Sequence, residues 1–192
     1  MGRDEVPTVD DFQAAMRRHR DDVYTFACYY LRHREDAEDV TQEVLIRLWK
    51  HWRRLDGEQV TAWLRRVTRN ACCDLVRRRR TESRRPETLA RFDDSEAERV
   101  ADGEPGPHAE AEAADFRRRL TAALRELPEP HRSIVILREI QGLKYDEIAA
   151  TLDKPLNTIK VYLHRGRKML REHLQEEGSA HATTLDPQAA HV

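Results

Sequence analysis

Cysteine is scarce in this chain of 192 residues, and its placement excludes two classes of domain. The three cysteines, Cys28, Cys72 and Cys73, have no Cys-x-x-Cys spacing and include an adjacent pair. Neither a zinc site nor a disulfide framework is therefore expected. The nine histidines are scattered without ligand spacing, and no Gly-rich phosphate loop or nucleophile motif is present. We expect no metal, no cofactor and no enzyme activity.

Long apolar runs and strand patterns are missing as well. No segment approaches the roughly 20 apolar residues of a membrane span, and the charged start MGRDEVPTVDD does not resemble a secretory signal. These features predict a soluble protein of the reducing cytoplasm, without insertion into a membrane. Alternation at a period of two, which marks half-buried strands, is also absent, so the fold is predicted to be all-α.

Charge is unevenly distributed, although the net charge is only -1. Arginines crowd the stretch from Trp63 to Arg85, whereas the stretch after it, FDDSEAERVADGEPGPHAEAEAAD, is acidic and small. A segment of that composition cannot bury enough surface to offset its ordering entropy. We therefore predict two small helical domains joined by a flexible acidic linker. The predicted ranges are 10–85 for the first domain, 86–114 for the linker, 115–174 for the second domain and 175–192 for a disordered tail.

The first domain is predicted to contain three amphipathic helices. The second of them has the apolar stripe Val40, Val44, Leu45, Leu48, Trp49 and Trp52. The third runs from about Val60 to Arg80 and buries Val60, Leu64, Val67, Ala71 and Leu75. At 100° per residue its opposite face is basic and polar. That face comprises Arg66, Arg69, Asn70, Cys73, Arg77 and Arg80, with Trp63 at its boundary.

The second domain ends in a helix-turn-helix pattern, carried by the spacing of Ala149, Asp153 and Ile159. A small residue lets two helices approach, a turn residue reverses the chain, and an apolar residue fills the angle. Asp153 stands where glycine is usual, but aspartate tolerates the left-handed region better than most residues. In the last helix Ile159, Leu163, Gly166 and Leu170 form the buried stripe. The opposite face carries the cations that phosphates in a major groove require: Lys160, His164, Arg165, Arg167, Lys168 and Arg171.

Two stretches of the chain resemble a known family. DAEDVTQEVLIRLWKHW with AWLRRVTRNACCDLVRRRRTESRR is similar to the second conserved region of bacterial sigma-70-type RNA polymerase sigma factors, and LPEPHRSIVILREIQGLKYDEIAATLDKPLNTIKVYLHRGRKML is similar to the fourth. Their order is that of the small extracytoplasmic-function (ECF) group. The resemblance implies a sigma factor that binds core RNA polymerase and directs promoter-specific initiation through minus-10 and minus-35 recognition.

The resemblance also implies where the polymerase is bound. In this family the second helix docks on the clamp of the largest polymerase subunit, and the flap is a further expected polymerase contact. The residues expected to dock on the clamp are Asp39, Gln42, Glu43 and Ile46. From the residues alone, the alternative is a solvated helix face whose acids suit the N-terminal dipole.

The third helix is expected to recognise and melt the minus-10 element. A melted strand needs cations along its phosphates and flat side chains on which bases stack. The expected residues are Trp63, Arg66, Arg69, Asn70, Asp74, Arg77 and Arg80. Asn70 can present a donor and an acceptor to a base edge, and Asp74 either accepts from a base or orients a neighbouring arginine. The alternatives are a core role for Trp63 and a solvated basic tail for Arg77 to Arg80.

The last helix is expected to read the minus-35 element as duplex DNA. The expected residues are Thr158, Lys160, Val161, His164, Arg165 and Lys168. The family commonly has serine and arginine where this chain has Val161 and Tyr162, so a divergent element is expected. Valine can touch a thymine methyl group but donates no hydrogen bond.

Promoter geometry puts demands on the linker. Elements nearly two helical turns apart are separated by on the order of 60–70 Å, whereas about 30 flexible residues relax to roughly 30 Å and extend to about 100 Å. The linker therefore reaches only when it is stretched. It is either a passive tether or a segment that occupies polymerase channels otherwise used by RNA, and its acidity is compatible with both. The resemblance further implies an anti-sigma factor, which in this family is often membrane-bound.

Two other functions fit the residues less completely. A stand-alone regulator that shares only the helix-turn-helix would need dimer symmetry and would leave the acidic second helix unexplained. An adaptor that binds only protein would leave the arginine row unexplained. Run-off transcription with purified core polymerase separates the three functions.

Overall fold

The computed structural model describes residues 8–31, 33–82 and 107–184, and it confirms an all-helical fold within those ranges. The helices, in chain order, are α1 (Val9–Leu31), α2 (Arg34–His51), α3 (Gly57–Glu82), α4 (Pro107–Glu126), α5 (His131–Val135), α6 (Tyr145–Leu152) and α7 (Leu156–Thr184). A 3-10 turn, Trp52–Arg54, leads from α2 to α3, and a π-helical turn, Ile136–Ile140, continues α5. Within the described ranges no helix is both long and apolar enough to cross a membrane.

Helices α1, α2 and α3 pack against one another as the first module. Its core is built from the predicted apolar stripes, with Val23, Phe26, Val40, Val44, Leu48, Val60 and Leu64 all buried. Trp52 is buried too, and its indole nitrogen donates to the carbonyl oxygen of Thr8 at 3.2 Å. The prediction that Trp49 is buried in the same stripe is wrong. Its side chain is 51% exposed at the edge of α2, where it makes an edge-to-face contact with Phe12.

Local capping sets where the first two helices begin. Thr8 precedes α1, and its Oγ1 accepts from Asp11 N at 3.2 Å while Asp11 Oδ2 accepts from Thr8 N at 2.9 Å. This reciprocal arrangement satisfies two backbone donors at the helix start and lowers the pKa of the Asp11 carboxyl. Helix α2 begins after His33, whose ring nitrogen accepts from Asp36 N at 3.4 Å.

Helices α4, α5, α6 and α7 form the second module. Its core residues Leu124, Leu127, Ile134, Leu137, Ile148, Ile159 and Leu163 are 2% exposed or less. The predicted helix-turn-helix is present, because α6 ends at Leu152 and the next residue, Asp153, has φ 50° and ψ 55°, in the left-handed region. Lys154 N donates to Ala149 O at 3.0 Å across this turn, and α7 starts at Leu156.

Two predicted boundaries change. The linker was expected to extend to residue 114, but α4 begins at Pro107, since its Ala- and Glu-rich start has high helix propensity. The tail was expected to be disordered from residue 175, but α7 runs to Thr184, and half-buried Leu170 and Leu174 continue its apolar stripe. The rest of the predicted linker, 86–106, and of the predicted tail, 185–192, lies outside the described residues.

The two modules pack directly on each other. Helices α1 and α3 of the first module contact α4, α6 and the π-helical turn of the second. The polar face of α3 therefore meets solvent on one side and the second module on the other.

Candidate nucleic-acid and polymerase interfaces

The polar face of α3 is exposed along most of its length, as its helical period predicted. The exposed residues are Arg66, Asn70, Asp74, Arg77 and Arg80. Among the residues the structure describes, Arg66 and Arg80 have no acidic partner. Their guanidinium groups are therefore available to phosphate oxygens, which they can bind through two parallel hydrogen bonds.

Two polar residues on this face are already engaged by arginines. Asp74 Oδ1 accepts from Arg77 Nη1 at 3.0 Å, and Asn70 Oδ1 accepts from Arg69 Nη1 at 3.1 Å. Of the two roles open to Asp74, the geometry supports orientation of a neighbouring arginine. The amide group of Asn70 is left to donate to a base.

Trp63 lies at the boundary of the polar face, where the helical period had placed it. It is half-buried and packs against the core of the first module, with its ring centroid 5.5 Å from that of His51. One part of the indole is thus a core contact and the rest is accessible. Both roles considered for this residue, packing and base stacking, keep support.

One arginine of the row has a structural role that the sequence did not reveal. Arg79 forms a charge-assisted hydrogen bond with Asp36, which is only 7% exposed at the start of α2. The pair ties the end of α3 to the beginning of α2. A contact between residues 43 positions apart leaves no signal in either helix alone.

The face of α2 expected to bind polymerase is exposed. It comprises Asp39, Gln42, Glu43 and Ile46. Glu43 Oε1 pairs with Arg47 Nη2 at 2.6 Å, so one of the two acids is partly neutralised within its own helix. Ile46 is 54% exposed and lies on the same helix as the half-exposed Trp49. Large apolar side chains among polar ones are common in protein interfaces.

A groove of about 380 Å³ borders this face, between α2 and α3. Asp39 and Glu43 line one side of it, and Leu75 and Arg78 line the other. The groove places acidic, apolar and basic groups within one concave surface. It adjoins the predicted polymerase contact on α2 and the arginine row on α3.

The outer face of α7 is exposed, as its helical period predicted. Lys160, Val161, His164, Arg165 and Lys168 are exposed, and Thr158 is half-buried in the first turn. Lys160 and Arg165 have no acidic partner within the part of the chain that the structure describes, whereas Lys168 lies 3.8 Å from Glu172. Val161, 48% exposed, adds an apolar contact beside these cations.

Other residues of α7 contact the rest of the second module. The Tyr162 ring packs edge-on against His131, with centroids 5.1 Å apart, and so lies away from the cationic face. Arg167 Nη2 pairs with Glu139 Oε1 at 2.7 Å, and a hydrogen bond to that carboxylate raises the pKa of Arg167. Gly166 lets α7 approach α5 closely, because a Cβ there would lie 2.8 Å from Val135 Cγ2.

Polar contacts join the two modules along a surface that we call the seam. Its residues are Asp22, Tyr30, Arg65 and Arg69 of the first module and Glu129, Arg132, Gln141 and Glu147 of the second. Arg69 Nη2 pairs with Glu129 Oε2 at 3.3 Å, and Arg65 Nη1 pairs with Glu147 Oε1 at 3.4 Å. Gln141 Nε2 donates to Asp22 O at 2.7 Å. The guanidinium carbon of Arg132 lies 4.9 Å from the centroid of the Tyr30 ring.

The cysteines take no part in either cationic face as reactive groups. Burial raises the pKa of the Cys28 and Cys73 thiols, and Cys72 is fully buried. Cys73 Sγ lies 3.0 Å from the Tyr30 hydroxyl oxygen. Thiols in such surroundings stay protonated and unreactive. Among the described residues no group of His, Cys, Asp or Glu is arranged to hold a metal ion.

Family models match both modules. The model of sigma-70 region 2 matches residues 15–82, and that of sigma-70 region 4 matches residues 117–170. The ECF RNA polymerase sigma factor SigE of Mycolicibacterium smegmatis is 36% identical over 174 residues, which are 91% of this chain and 64% of that protein. SigX of Bacillus subtilis is 30% identical over 167 residues, which are 86% of this chain and 84% of that protein.

Solved structures show the same architecture. The sigma factor RpoE of Bartonella quintana, in complex with the anti-sigma factor NepR, has a TM-score of 0.68 and 25% identity, covering 87% of this chain and 98% of its own. The likeness therefore includes both modules. With region 2 and region 4 matched in order and the relatives aligned across most of their length, the chain belongs to the sigma-70 family, as an ECF sigma factor that directs promoter-specific transcription initiation.

Proposed function

We propose that three helix faces divide the work of initiation: α2 docks on core RNA polymerase, α3 holds the melted minus-10 strand, and α7 reads the minus-35 duplex. The observation that carries this division is the exposure of all three faces on one chain. Each face has the chemistry its partner requires, acidic and apolar on α2 and cationic on α3 and α7.

For the polymerase, the support is the mixed surface of α2. Asp39 and Glu43 are acidic groups suited to basic helices, and Ile46 supplies apolar area. We assign this face to the clamp of the largest subunit and the second module to the flap. The groove beside Asp39 and Glu43 extends the contact area toward α3.

For the minus-10 element, the support is two exposed arginines, Arg66 and Arg80, that have no acidic partner among the described residues and lie on the same helix as a partly accessible indole. Arg66 and Arg80 would bind phosphates of the melted strand, and Trp63 would offer a surface on which a base stacks. Arg77, held by Asp74, and the Asn70 amide complete the face. Arg69 belongs to the same row but is paired with Glu129 across the seam.

For the minus-35 element, the support is the position of α7 as second helix of the helix-turn-helix. Thr158, Lys160, Val161, His164, Arg165 and Lys168 occupy the outer face from its first turn onward. Helices of this kind lie in the major groove and contact base edges with their N-terminal residues. Val161 favours apolar contact with a thymine methyl group.

Run-off transcription with purified core polymerase tests the division. We expect Asp39→Lys combined with Glu43→Lys to abolish polymerase binding and transcription. Glu35→Lys, an exposed reversal in the first turn of the same helix, is the matched control and should leave both intact. If the double variant still binds polymerase normally, the proposal that α2 docks on the polymerase is wrong.

An inhibitory partner and a cytoplasmic location complete the proposal. RpoE was solved with the anti-sigma factor NepR, and CnrH, which has a TM-score of 0.64 and 20% identity to this chain, with the cytosolic domain of CnrY. We infer that this chain too is held by an anti-sigma factor, membrane-bound as is common in the family. Its work on core polymerase places it in the cytoplasm. Co-purification of a bound inhibitor from the native host checks the first point.

A further inference from the structure

The side chain of Asn157 is exposed on the first turn of α7, and the fold does not use it. A backbone hydrogen bond runs from Ile159 N to Pro155 O at 3.1 Å, so Pro155 holds the N-cap position and Asn157 lies two residues inside the helix. Within the part of the chain that the structure describes, the amide group of Asn157 has no hydrogen-bond partner. Asn157 therefore does not perform the capping role that asparagine usually has at the start of a helix.

An unpartnered asparagine inside a helix is unfavourable for local structure. Asparagine has a lower helix propensity than alanine, glutamate or lysine, because its side chain competes with the backbone for hydrogen bonds. At an exposed position no packing contact offsets this preference. Residues that break a local preference without a compensating contact in the fold are expected at functional sites. The amide group of Asn157 is thus suited to a partner outside the chain.

The position of Asn157 around the helix indicates which partner that is. Four exposed residues follow one another along the outer face of α7 at intervals of four, three and four, forming one ridge: Asn157, Val161, His164 and Lys168. Lys160 and Arg165 lie about 70° to either side of this ridge, where they can reach the phosphates that border a groove. The N-terminal end of the ridge, which faces the base edges, is uncharged and consists of Asn157 and Val161.

An asparagine side chain matches one base in the major groove. Adenine presents N7 as an acceptor and its N6 amino group as a donor, so Asn157 Nδ2 can donate to the first while Oδ1 accepts from the second. Guanine presents acceptors at both places, so one of the two hydrogen bonds is lost. The Cβ atoms of residues four apart on a helix are about 5–6 Å from each other, which corresponds to one or two base-pair steps of about 3.4 Å.

We propose that Asn157 is a specificity-determining residue, whose amide group binds the major-groove edge of an adenine about one or two base pairs from a thymine that Val161 contacts. This inference rests on the proposed assignment of α7 to the minus-35 duplex. The cations of the same face supply affinity through phosphates, which carry no sequence information. The element read by this chain therefore contains an adenine and a thymine close together, each recognised by a different residue.

Selection of randomised promoter duplexes by the complete chain bound to core polymerase tests this pair. The wild-type holoenzyme should enrich both bases. Asn157→Ala should keep the preference for thymine and lose the preference for adenine, and Val161→Ala should do the reverse. Alanine is a better helix former than asparagine or valine, so neither substitution should unfold α7. Enrichment of the same adenine by the wild type and by Asn157→Ala would overturn the proposal.

Base analogues test the contact atom by atom in the enriched duplex. Replacing the adenine by 7-deazaadenine removes the N7 acceptor, and replacing the thymine by uracil removes its methyl group. We expect 7-deazaadenine to weaken binding by the wild-type holoenzyme about fivefold and binding by Asn157→Ala less than about twofold. Uracil should weaken binding by the wild type but not by Val161→Ala. Equal losses with 7-deazaadenine in the wild type and in Asn157→Ala would refute a contact to N7.

Leu156→Ala is the matched control. Leu156 is 42% exposed in the same turn but lies about 100° from Asn157 around the helix. This variant should enrich the same bases as the wild type, and loss of the adenine preference here too would overturn the proposal. A holoenzyme that enriches no minus-35 sequence would refute the proposed role of α7 itself. Enrichment of an element without the adenine would refute this inference alone.

Discussion

Helices α3 and α7 both carry a dense row of cations, but the two rows have different neighbours. On α3, Arg65, Arg69 and Arg79 are paired with acids from other parts of the chain, namely Glu147 of α6, Glu129 of the turn before α5 and Asp36 of α2. On α7, Lys160 and Arg165 face outward without such partners in the described part of the chain. The charge of a helix therefore does not tell which of its cations are available to DNA. That depends on which remote acids the fold brings to them.

The cause of the difference is the number of surfaces each helix packs against. Helix α3 contacts two helices of its own module and α6 of the other, so its polar face is shared between solvent and protein. Helix α7 packs on α4, α5 and α6, all within its own module, and leaves its outer face open. The polar face of α3 is thus partly covered by the second module, whereas the outer face of α7 is exposed.

The largest effect is expected where α7 is anchored. Leu163→Ala removes a side chain that is 2% exposed and should lower the free energy of unfolding by about 2–5 kcal/mol. Val161→Ala, on the outer face of the same helix, should change it by less than about 0.5 kcal/mol. Urea denaturation of both variants measures the contrast. Similar losses of unfolding free energy in the two variants would contradict the assignment of Leu163 to the buried face and Val161 to the exposed face of α7.

A smaller effect should show that one arginine of α3 stabilises the fold. Arg79→Ala leaves the buried Asp36 carboxylate without its partner and should cost about 1–3 kcal/mol of unfolding free energy. Arg165→Ala on α7 should cost less than about 0.5 kcal/mol. If thermal and urea unfolding give the two variants equal losses of unfolding free energy, Arg79 does not have the stabilising role described here.

In DNA binding by the isolated chain, we expect a substitution on α7 to have a larger effect than one on α3. Arg165→Ala should reduce the salt dependence of minus-35 duplex binding, lowering its slope by about 1. Arg69→Ala should change oligo(dT) binding by the free chain much less, because Arg69 is already paired with Glu129. In the polymerase complex, open-complex formation should depend on Arg69 strongly. Fluorescence anisotropy and permanganate footprinting measure the two states.

The smallest expected effect is a loss of folding stability at acidic pH. Burial lowers the pKa of His19 below its ordinary value of 6.5, an effect that the nearby Asp22 opposes and Arg18 and Arg65 reinforce. The unfolded chain therefore binds the proton first as pH falls, so stability is present at neutral pH and is lost as pH drops below 6.5 through the folded pKa. His19→Gln should weaken this loss, measured as urea midpoints across pH. An unchanged pH profile would contradict it.

Much of the fold was predictable because each signal is local. The stripe of Ile159 and Leu163 marks the buried face of α7 by its period alone. Asp153 indicates the left-handed turn by its residue type and its spacing from Ala149. The exposed members of the candidate faces, such as Asp39 and Lys160, followed from the same periodicity, since a side chain opposite an apolar stripe points to solvent.

What could not be predicted depends on residues far apart in the chain. Arg69 and Glu129 are 60 positions apart, and nothing in either segment indicates that the two will meet. The period of α3 identified its polar side but not the fraction of that side that another module covers. Trp49 was misplaced for a related reason, because an apolar stripe wider than the contact leaves its edge uncovered.

The lack of a side chain at Gly166 has a consequence for the orientation of α7. It lies about 15 Å along the axis from the start of α7, and even a methyl group there would have to displace Val135. A side chain at that position would tilt α7 relative to α5 and displace the N-terminal end of the helix. Promoter preference should then shift through a position that never approaches a base, simply because the angle of entry into the groove is set there.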